Sequence, residues 1–305
     1  MGKMMLYCGV VVALAAGAAG AAYEYGGQWK LRNIYPQGID LNAANGYIYF
    51  IGYPLPHNPE AYIFTPAGSF VSSWDTRQCM PSGLACAPNG DVYVSNACEG
   101  DPDYIRYFTS TGSKRGEWVN PYWKELYAVA VAGDGTVFIT ETNGNMLWHC
   151  AAAGKYLNSW GDLLRPKGVA VAPNGNVYVA DTNNHMIKYY TAGGVILGSW
   201  GGFGVEDGYF REPYGVAVAG DGTVFVADQV NNRVQYFSAT GLYLGQFGEA
   251  GAGPGQLDGP WDLTVTPTAS RVYVSDTYNN RIQYFDATYV NVQPASLGKI
   301  KALFR

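Results

Sequence analysis

Pro166–Lys167–Gly168–Val169–Ala170–Val171–Ala172–Pro173–Asn174–Gly175–Asn176–Val177–Tyr178–Val179–Ala180–Asp181–Thr182–Asn183–Asn184 decides the fold, because the chain repeats it. The stretch returns as Pro213–Tyr214–Gly215–Val216–Ala217–Val218 through Val224–Phe225–Val226–Ala227–Asp228, and again between Pro260 and Asp276. Anchored on the residue that opens each first strand, the copies start at Gly38, Gly83, Ala128, Gly168, Gly215 and Asp262, in steps of 45, 45, 40, 47 and 47 residues. A period of this length marks a stacked or radial array of one supersecondary unit.

Within a copy, Gly-Val-Ala-Val reads as a first strand. Asn89–Gly90, Asp134–Gly135, Asn174–Gly175 and Asp221–Gly222 then supply hairpin turns that need positive φ. Alternating Val-Tyr-Val makes a second strand, Met186–Ile187–Lys188–Tyr189–Tyr190 a third, and Val195–Ile196–Leu197–Gly198–Ser199–Trp200 a fourth. A four-stranded unit cannot bury both faces alone, and radial closure removes its exposed edges. The expectation is an all-β, six-bladed β-propeller of four-stranded antiparallel blades over residues 23–288. Tyr25–Gly26–Gly27–Gln28–Trp29 resembles Tyr243–Leu244–Gly245–Gln246–Phe247, so the N-terminal strand is expected to complete the last blade, with Tyr289–Val290–Asn291–Val292 as the rival donor.

Met1–Gly2–Lys3, an apolar run from Met4 to Ala16 and the small residues Ala19–Gly20–Ala21–Ala22 read as a secretory signal peptide over 1–22, cleaved near Ala22. A secreted or periplasmic location follows, with no membrane span in the mature chain. The balance of 19 Lys+Arg against 24 Asp+Glu leaves no basic field for nucleic acid. Residues 289–305 break the repeat and read as a tail, where Ser296 could cap a short helix. A monomer is expected.

Val177–Tyr178–Val179–Ala180–Asp181–Thr182–Asn183–Asn184–His185–Met186–Ile187 and Val272–Tyr273–Val274–Ser275–Asp276–Thr277–Tyr278–Asn279–Asn280–Arg281–Ile282 resemble the motif of the NHL-repeat family of six-bladed propellers, as does the linker Gly201–Phe210. Blades four to six match best. Blades one to three depart from the motif, with Gly52, Asn96 and Glu141 in place of its aspartate. The resemblance extends to a peptide-amidating lyase that holds zinc through histidines. Here His57, His149 and His185 fall at different radial depths, in a blade-one insertion, a third strand and a blade-four turn. Streptogramin lyases and gluconolactonases have related architectures, but no local motif here carries over their active sites.

Asp181, Asp228 and Asp276, with His185, Arg233 and Arg281, recur once per blade and are read as structural: the carboxylate accepts backbone N–H groups in the turn and the basic residue pairs locally. The ligand-binding candidates are the residues just before each first strand, Gln37, Ser82, Tyr127, Lys167, Tyr214 and Trp261, expected around one mouth of the central channel. Aromatic rings beside polar donors suit a protein, peptide or glycan, and Tyr122, Trp123 and Tyr209 would widen the patch. No cofactor is expected; the alternative is calcium or another divalent cation at Asp40 and Asp262, serving a metal-dependent lyase or lactonase on the axis. Glu99–Gly100–Asp101–Pro102–Asp103 is an incomplete calcium-loop pattern and reads as a solvated turn. No constellation of nucleophile, base and oxyanion donor is visible. Cys79 and Cys98 sit in loops of one rim and are expected to form a disulfide, leaving Cys86 and Cys150 as buried free thiols.

Overall fold

A computed structural model describes residues 21–55, 58–76, 79–98 and 102–289. Residues 1–20 of the expected signal peptide, His57, Glu99–Asp101 and the tail from 290 to 305 lie outside the described residues.

Strand β1 (Ala21–Lys30) precedes blade one, made of β2 (Ile34–Leu41), β3 (Ile48–Pro54), β4 (Glu60–Phe64) and β5 (Phe70–Asp75). Blade two holds β6 (Met80–Cys86), β7 (Val92–Ala97), β8 (Tyr104–Phe108) and β9 (Lys114–Val119), and blade three holds β10 (Leu126–Val131), β11 (Val137–Glu141), β12 (Met146–Cys150) and β13 (Tyr156–Trp160). Blade four follows with β14 (Val169–Val171), β15 (Val177–Asp181), β16 (Met186–Tyr190) and β17 (Ile196–Gly201). Blade five contains β18 (Pro213–Val218), β19 (Val224–Asp228), β20 (Arg233–Phe237) and β21 (Tyr243–Phe247), and blade six β22 (Pro260–Val265), β23 (Arg271–Asp276) and β24 (Arg281–Tyr289). Each sheet is antiparallel and four-stranded, and the sixth has the order β1-β24-β23-β22. The N-terminal strand therefore closes the ring, and Tyr289 ends the third strand of blade six. Ala21 and Ala22 are already paired, with Tyr289 and Thr288, so the strands reach beyond the expected 23–288 limits. In the hairpin turns the positive φ falls on the glycine alone, as at Gly90 and Gly175, and not on the preceding Asn or Asp.

Second strands are buried on both faces, as in Val177–Asp181 and Val224–Asp228, because each blade is sandwiched between two others. The blades are then latched in series. A side chain at or just beyond the end of a second strand donates to the carbonyl of the proline that opens the next blade: Tyr53 to Pro81 at 2.6 Å, Thr142 to Pro166 at 3.0 Å, Thr182 to Pro213 at 2.8 Å and, across the closure, Thr277 to Pro36 at 2.6 Å. A second latch lies near the rim. Trp29, Trp74, Trp118, Trp160 and Trp200, each from a fourth strand, lie over Gly68, Gly112, Gly154, Gly194 and Gly241 in the turn between the third and fourth strands of the following blade. Each turn glycine has positive φ and no room for a Cβ beneath the indole.

Three motif carboxylates clamp the linkers. Asp181, Asp228 and Asp276 accept the backbone N–H groups of Leu164, Arg211 and Asp258, in the segment that enters the blade's own first strand. The turn itself supplies side-chain amides, from Asn184, Asn231 and Asn279. This corrects the expectation that the turn's own backbone N–H groups are bound. Arg233 and Arg281 pair with Asp228 and Asp276 at 2.8 and 2.6 Å, and both ion pairs are buried. His185 does not take this role. It sits one residue short of the position facing Asp181, in a left-handed cap with φ 56°, where its Nδ1 accepts the Glu212 N–H. The blade-four cation is Lys188, 3.1 Å from Asp181. Glu141 acts similarly in blade three, accepting the Lys124 N–H and the Trp148 indole N–H.

Cys79 and Cys98 form a disulfide. Beside it, Asp103 accepts the N–H groups of Cys98 and Leu126 and is buried, so it is a structural acceptor joining blades two and three. Cys150 is a buried free thiol, whereas Cys86 is half-buried because it lines the central channel. No helix among the described residues is long and apolar enough to cross a membrane.

Candidate functional site: the stoppered mouth of the channel

First strands run side by side down the axis, so residues at equivalent positions form layers. In the layer opened by Gly38 the others are Gly83, Ala128, Gly168, Gly215 and Asp262, and two residues along come Asp40, Ala85, Ala130, Ala170, Ala217 and Thr264. Small residues prevail because the next blade's backbone approaches closely; a Cβ on Gly83 would press on the Tyr127 carbonyl and the Ala128 backbone. The polar exceptions, Asp262, Asp40 and Thr264, lie together at the seam between blades six and one. Asp262 accepts the Ile39 N–H at 3.1 Å. Asp40 accepts the N–H groups of Leu41 and Cys86, each at 2.8 Å, and the Thr264 hydroxyl at 3.0 Å.

These carboxyls border a cavity of about 250 Å³ walled by the first strands, which extends to Ala43 and Pro267 at the far end. Both line that cavity, and Asp262 also lines the small crevice beneath the rings at the other end. Desolvation pushes the Asp40 carboxyl up to about 6, against its three hydrogen bonds, and that of Asp262 up to about 7, with Asp40's charge adding to the rise. Among the described residues no group of three or more His, Cys, Asp or Glu side chains is placed to hold a metal ion. His149 stacks on Phe138 at 4.3 Å and its burial lowers its pKa, while His185 packs against Phe203 on the rim, so the two histidines do not converge.

At the other end the channel is stoppered. Tyr127 and Trp261 belong to opposite blades, three and six, yet their rings lie 6.0 Å apart and nearly parallel. Tyr214 stands almost perpendicular to both, 6.2 Å from Tyr127 and 5.1 Å from Trp261. Lys167 completes the cluster: its ammonium lies 3.4 Å from the Tyr214 ring centre, 4.9 Å from that of Tyr127 and 5.6 Å from that of Trp261. Desolvation lowers the Lys167 pKa to about 8, opposed by the nearby charges of Glu212 and Glu125. The Tyr127 hydroxyl and the Trp261 indole N–H are both buried without a hydrogen-bond partner.

Four of the six ring residues thus meet over the axis. Of the other two, the Ser82 hydroxyl donates to the Tyr127 carbonyl at 2.9 Å, and Gln37 offers its backbone carbonyl to Ser275 at 2.6 Å, as Tyr127 and Lys167 offer theirs to Ser95 and Thr140. Of the flanking aromatics, Tyr122 is 76% exposed, whereas Trp123 is 6% exposed and packs in the core against Trp148, so it cannot widen the patch. Tyr209 is exposed, and around it on the same face stand Phe203, Val205, Val230 and Tyr278, all exposed. Phe203, Val205 and Val230 were not singled out by sequence reasoning. Their signal is position, since each lies in a linker or in a turn between second and third strands, which antiparallel order places at this mouth.

The NHL repeat profile matches residues 163–188 and 257–285, which are the linker, first three strands and Asp clamp of blades four and six. The chain is a six-bladed propeller that carries NHL repeats in blades four and six. No curated protein matches its sequence. Among solved structures, a streptogramin B lyase has the same fold, with a TM-score of 0.61 at 14% identity, covering 88% of this chain and 98% of that one. At that identity the likeness concerns the architecture. In this propeller the Asp clamp that carries the motif holds the linkers, and of the mouth residues Lys167 and Trp261 fall within the matched repeats while Tyr127 and Tyr214 do not.

Proposed function

We propose that this NHL propeller is a secreted or periplasmic binding scaffold that engages a protein, peptide or glycan through the face around the stoppered mouth. The observation that carries the reading is the convergence of Tyr127, Tyr214 and Trp261 across the axis, ringed by the exposed side chains of Tyr122, Phe203, Tyr209 and Tyr278. Rigid aromatics concentrate contact area at low entropy cost, and large apolar side chains exposed on one face favour an interaction there. The Cys79–Cys98 disulfide and the small-residue N-terminal segment support export. Capture of partners by the mature protein, repeated with Tyr127, Tyr214 and Trp261 changed to Ala in a variant of unaltered circular dichroism, tests the proposal. Loss of capture supports it, and capture at wild-type level overturns it.

A second reading is favoured by Asp40 and Asp262, which place two desolvated carboxyls beside the axial cavity. In a metal-dependent lyase or lactonase these groups would bind a divalent cation such as calcium. Metal analysis of the purified protein separates the readings. A stoichiometric divalent ion lost in Asp40→Asn and Asp262→Asn supports the enzyme, and a metal-free active binder excludes it.

A further inference from the structure

The aromatic cluster already contains a cation, and that cation is the chain's own. Lys167 lies over the face of Tyr214 within reach of Tyr127 and Trp261, and among the described residues no carboxylate is close enough to form an ion pair with its ammonium. The attraction that holds it is that of ring faces for positive charge. We propose that Tyr214, Tyr127 and Trp261 form a recognition site for a methylated ammonium group, and that Lys167 is its internal occupant, displaced when such a ligand binds.

Several observations converge on this. The crevice beneath the rings, lined by Tyr127, Tyr214, Trp261 and Asp262, is only about 10 Å³, so a ligand cation has no room below the rings and must take the place that the Lys167 ammonium holds over the Tyr214 face. A lysine stem and head vacate space comparable to a trimethylammonium group. A primary ammonium carries three N–H donors that need acceptors, whereas a quaternary ammonium carries none and loses nothing in a cage made of ring faces. The charge environment also fits: Glu212 and Glu125 act favourably on a cation at this spot, against Arg165, and Asp262 lines the crevice below. The unpartnered Tyr127 hydroxyl and Trp261 indole N–H show that the cluster is not closed by hydrogen bonds of its own. Internal occupancy makes the apparent affinity for a ligand weaker than the intrinsic one by the fraction of time that the cage is free.

The inference rests on the reading of this mouth as a binding face and can fail separately from it. The probe is tetramethylammonium, titrated calorimetrically into the full mature protein. Removing the occupant in Lys167→Ala is expected to tighten binding by about tenfold or more over wild type. Lys167→Arg, which keeps a cation over Tyr214, should bind no better than wild type, and Lys167→Ala/Tyr214→Ala should not bind. Lys167→Gln serves if the alanine variant does not fold. A trimethyl-lysine peptide and phosphocholine, titrated into Lys167→Ala, then distinguish a peptide source of the group from a head-group source. Binding by Lys167→Ala that is no tighter than wild type, or that survives loss of Tyr214, overturns the inference. So does a macromolecular partner captured through Tyr127, Tyr214 and Trp261 while Lys167→Ala ignores tetramethylammonium, in which case the binding-face reading stands.

Discussion

Asp40 and Thr264 meet across the seam where blade six joins blade one, the threonine hydroxyl donating to the carboxylate at 3.0 Å. Thr264 in turn accepts the Leu41 N–H at 3.2 Å, so a side-chain pair stitches together the two blades that are furthest apart in sequence. In the intervening blades alanine fills the same layer and no such stitch exists.

The seam carries a pH dependence. Burial raises the folded pKa of Asp262 to about 7 from 3.8, so the folded state favours the protonated carboxyl. Its stabilising contribution is complete below about pH 4 and is lost as pH rises through about 7. Asp262→Asn should therefore raise stability at both pH 5 and pH 8, and by about 2–3 kcal/mol more at pH 8. Urea unfolding at the two pH values checks this, and equal destabilisation at both would refute the burial argument.

Arg281 reaches the closing strand as well as the linker. Besides Asp276, it donates to Gln28 of β1 and to the carbonyls of Ala252, Gly253 and Gln256. Its loss leaves a buried carboxylate unpaired, so Arg281→Ala should cost about 3–5 kcal/mol. Arg115, whose pair with Asp91 is half exposed, should cost less than about 1 kcal/mol on the same change. Thermal melts of both variants give the comparison; similar losses would contradict it.

Gly194 lies beneath the Trp160 indole with φ +88°, and a Cβ there would overlap the ring. Gly46 has a similar φ of +75° with open space around it. Gly46→Ala should cost about 1–2 kcal/mol from backbone conformation alone. Gly194→Ala adds steric overlap of about 1–3 kcal/mol. Equal midpoints in chemical denaturation would mean that the tryptophan latch does not bear on stability.

The Cys79–Cys98 bridge closes a loop with a sequence separation of 19 residues. Its removal in Cys98→Ser should lower stability by about 3 kcal/mol. Denaturant titration with and without reductant measures the same quantity in the wild type. Insensitivity of the midpoint to reductant would show that the loop is already ordered without its crosslink.

Blade number and strand order were legible because similar patterns fold alike, and closure by residues 25–29 because that segment resembles Tyr243–Phe247, with Tyr289–Val292 left as a rival until the pairing of β1 with β24 decided it. The same reasoning placed the ring residues at one mouth. It missed the tryptophan latches, although a tryptophan near the end of successive fourth strands is visible once the repeat is aligned. It also assigned His185 a partner that register denies it, since the residue facing Asp181 across the hairpin is Met186.

Periodicity by itself determined the ring, because hydrophobic alternation and turn chemistry act over a few residues and are written in each copy. Only the tertiary structure decided that Tyr127, Lys167, Tyr214 and Trp261 collapse onto one another over the axis while the Ser82 hydroxyl turns to the Tyr127 carbonyl. Those contacts join blades three, four, five and six. Their geometry depends on the diameter that six packed sheets impose, a quantity that no single repeat encodes.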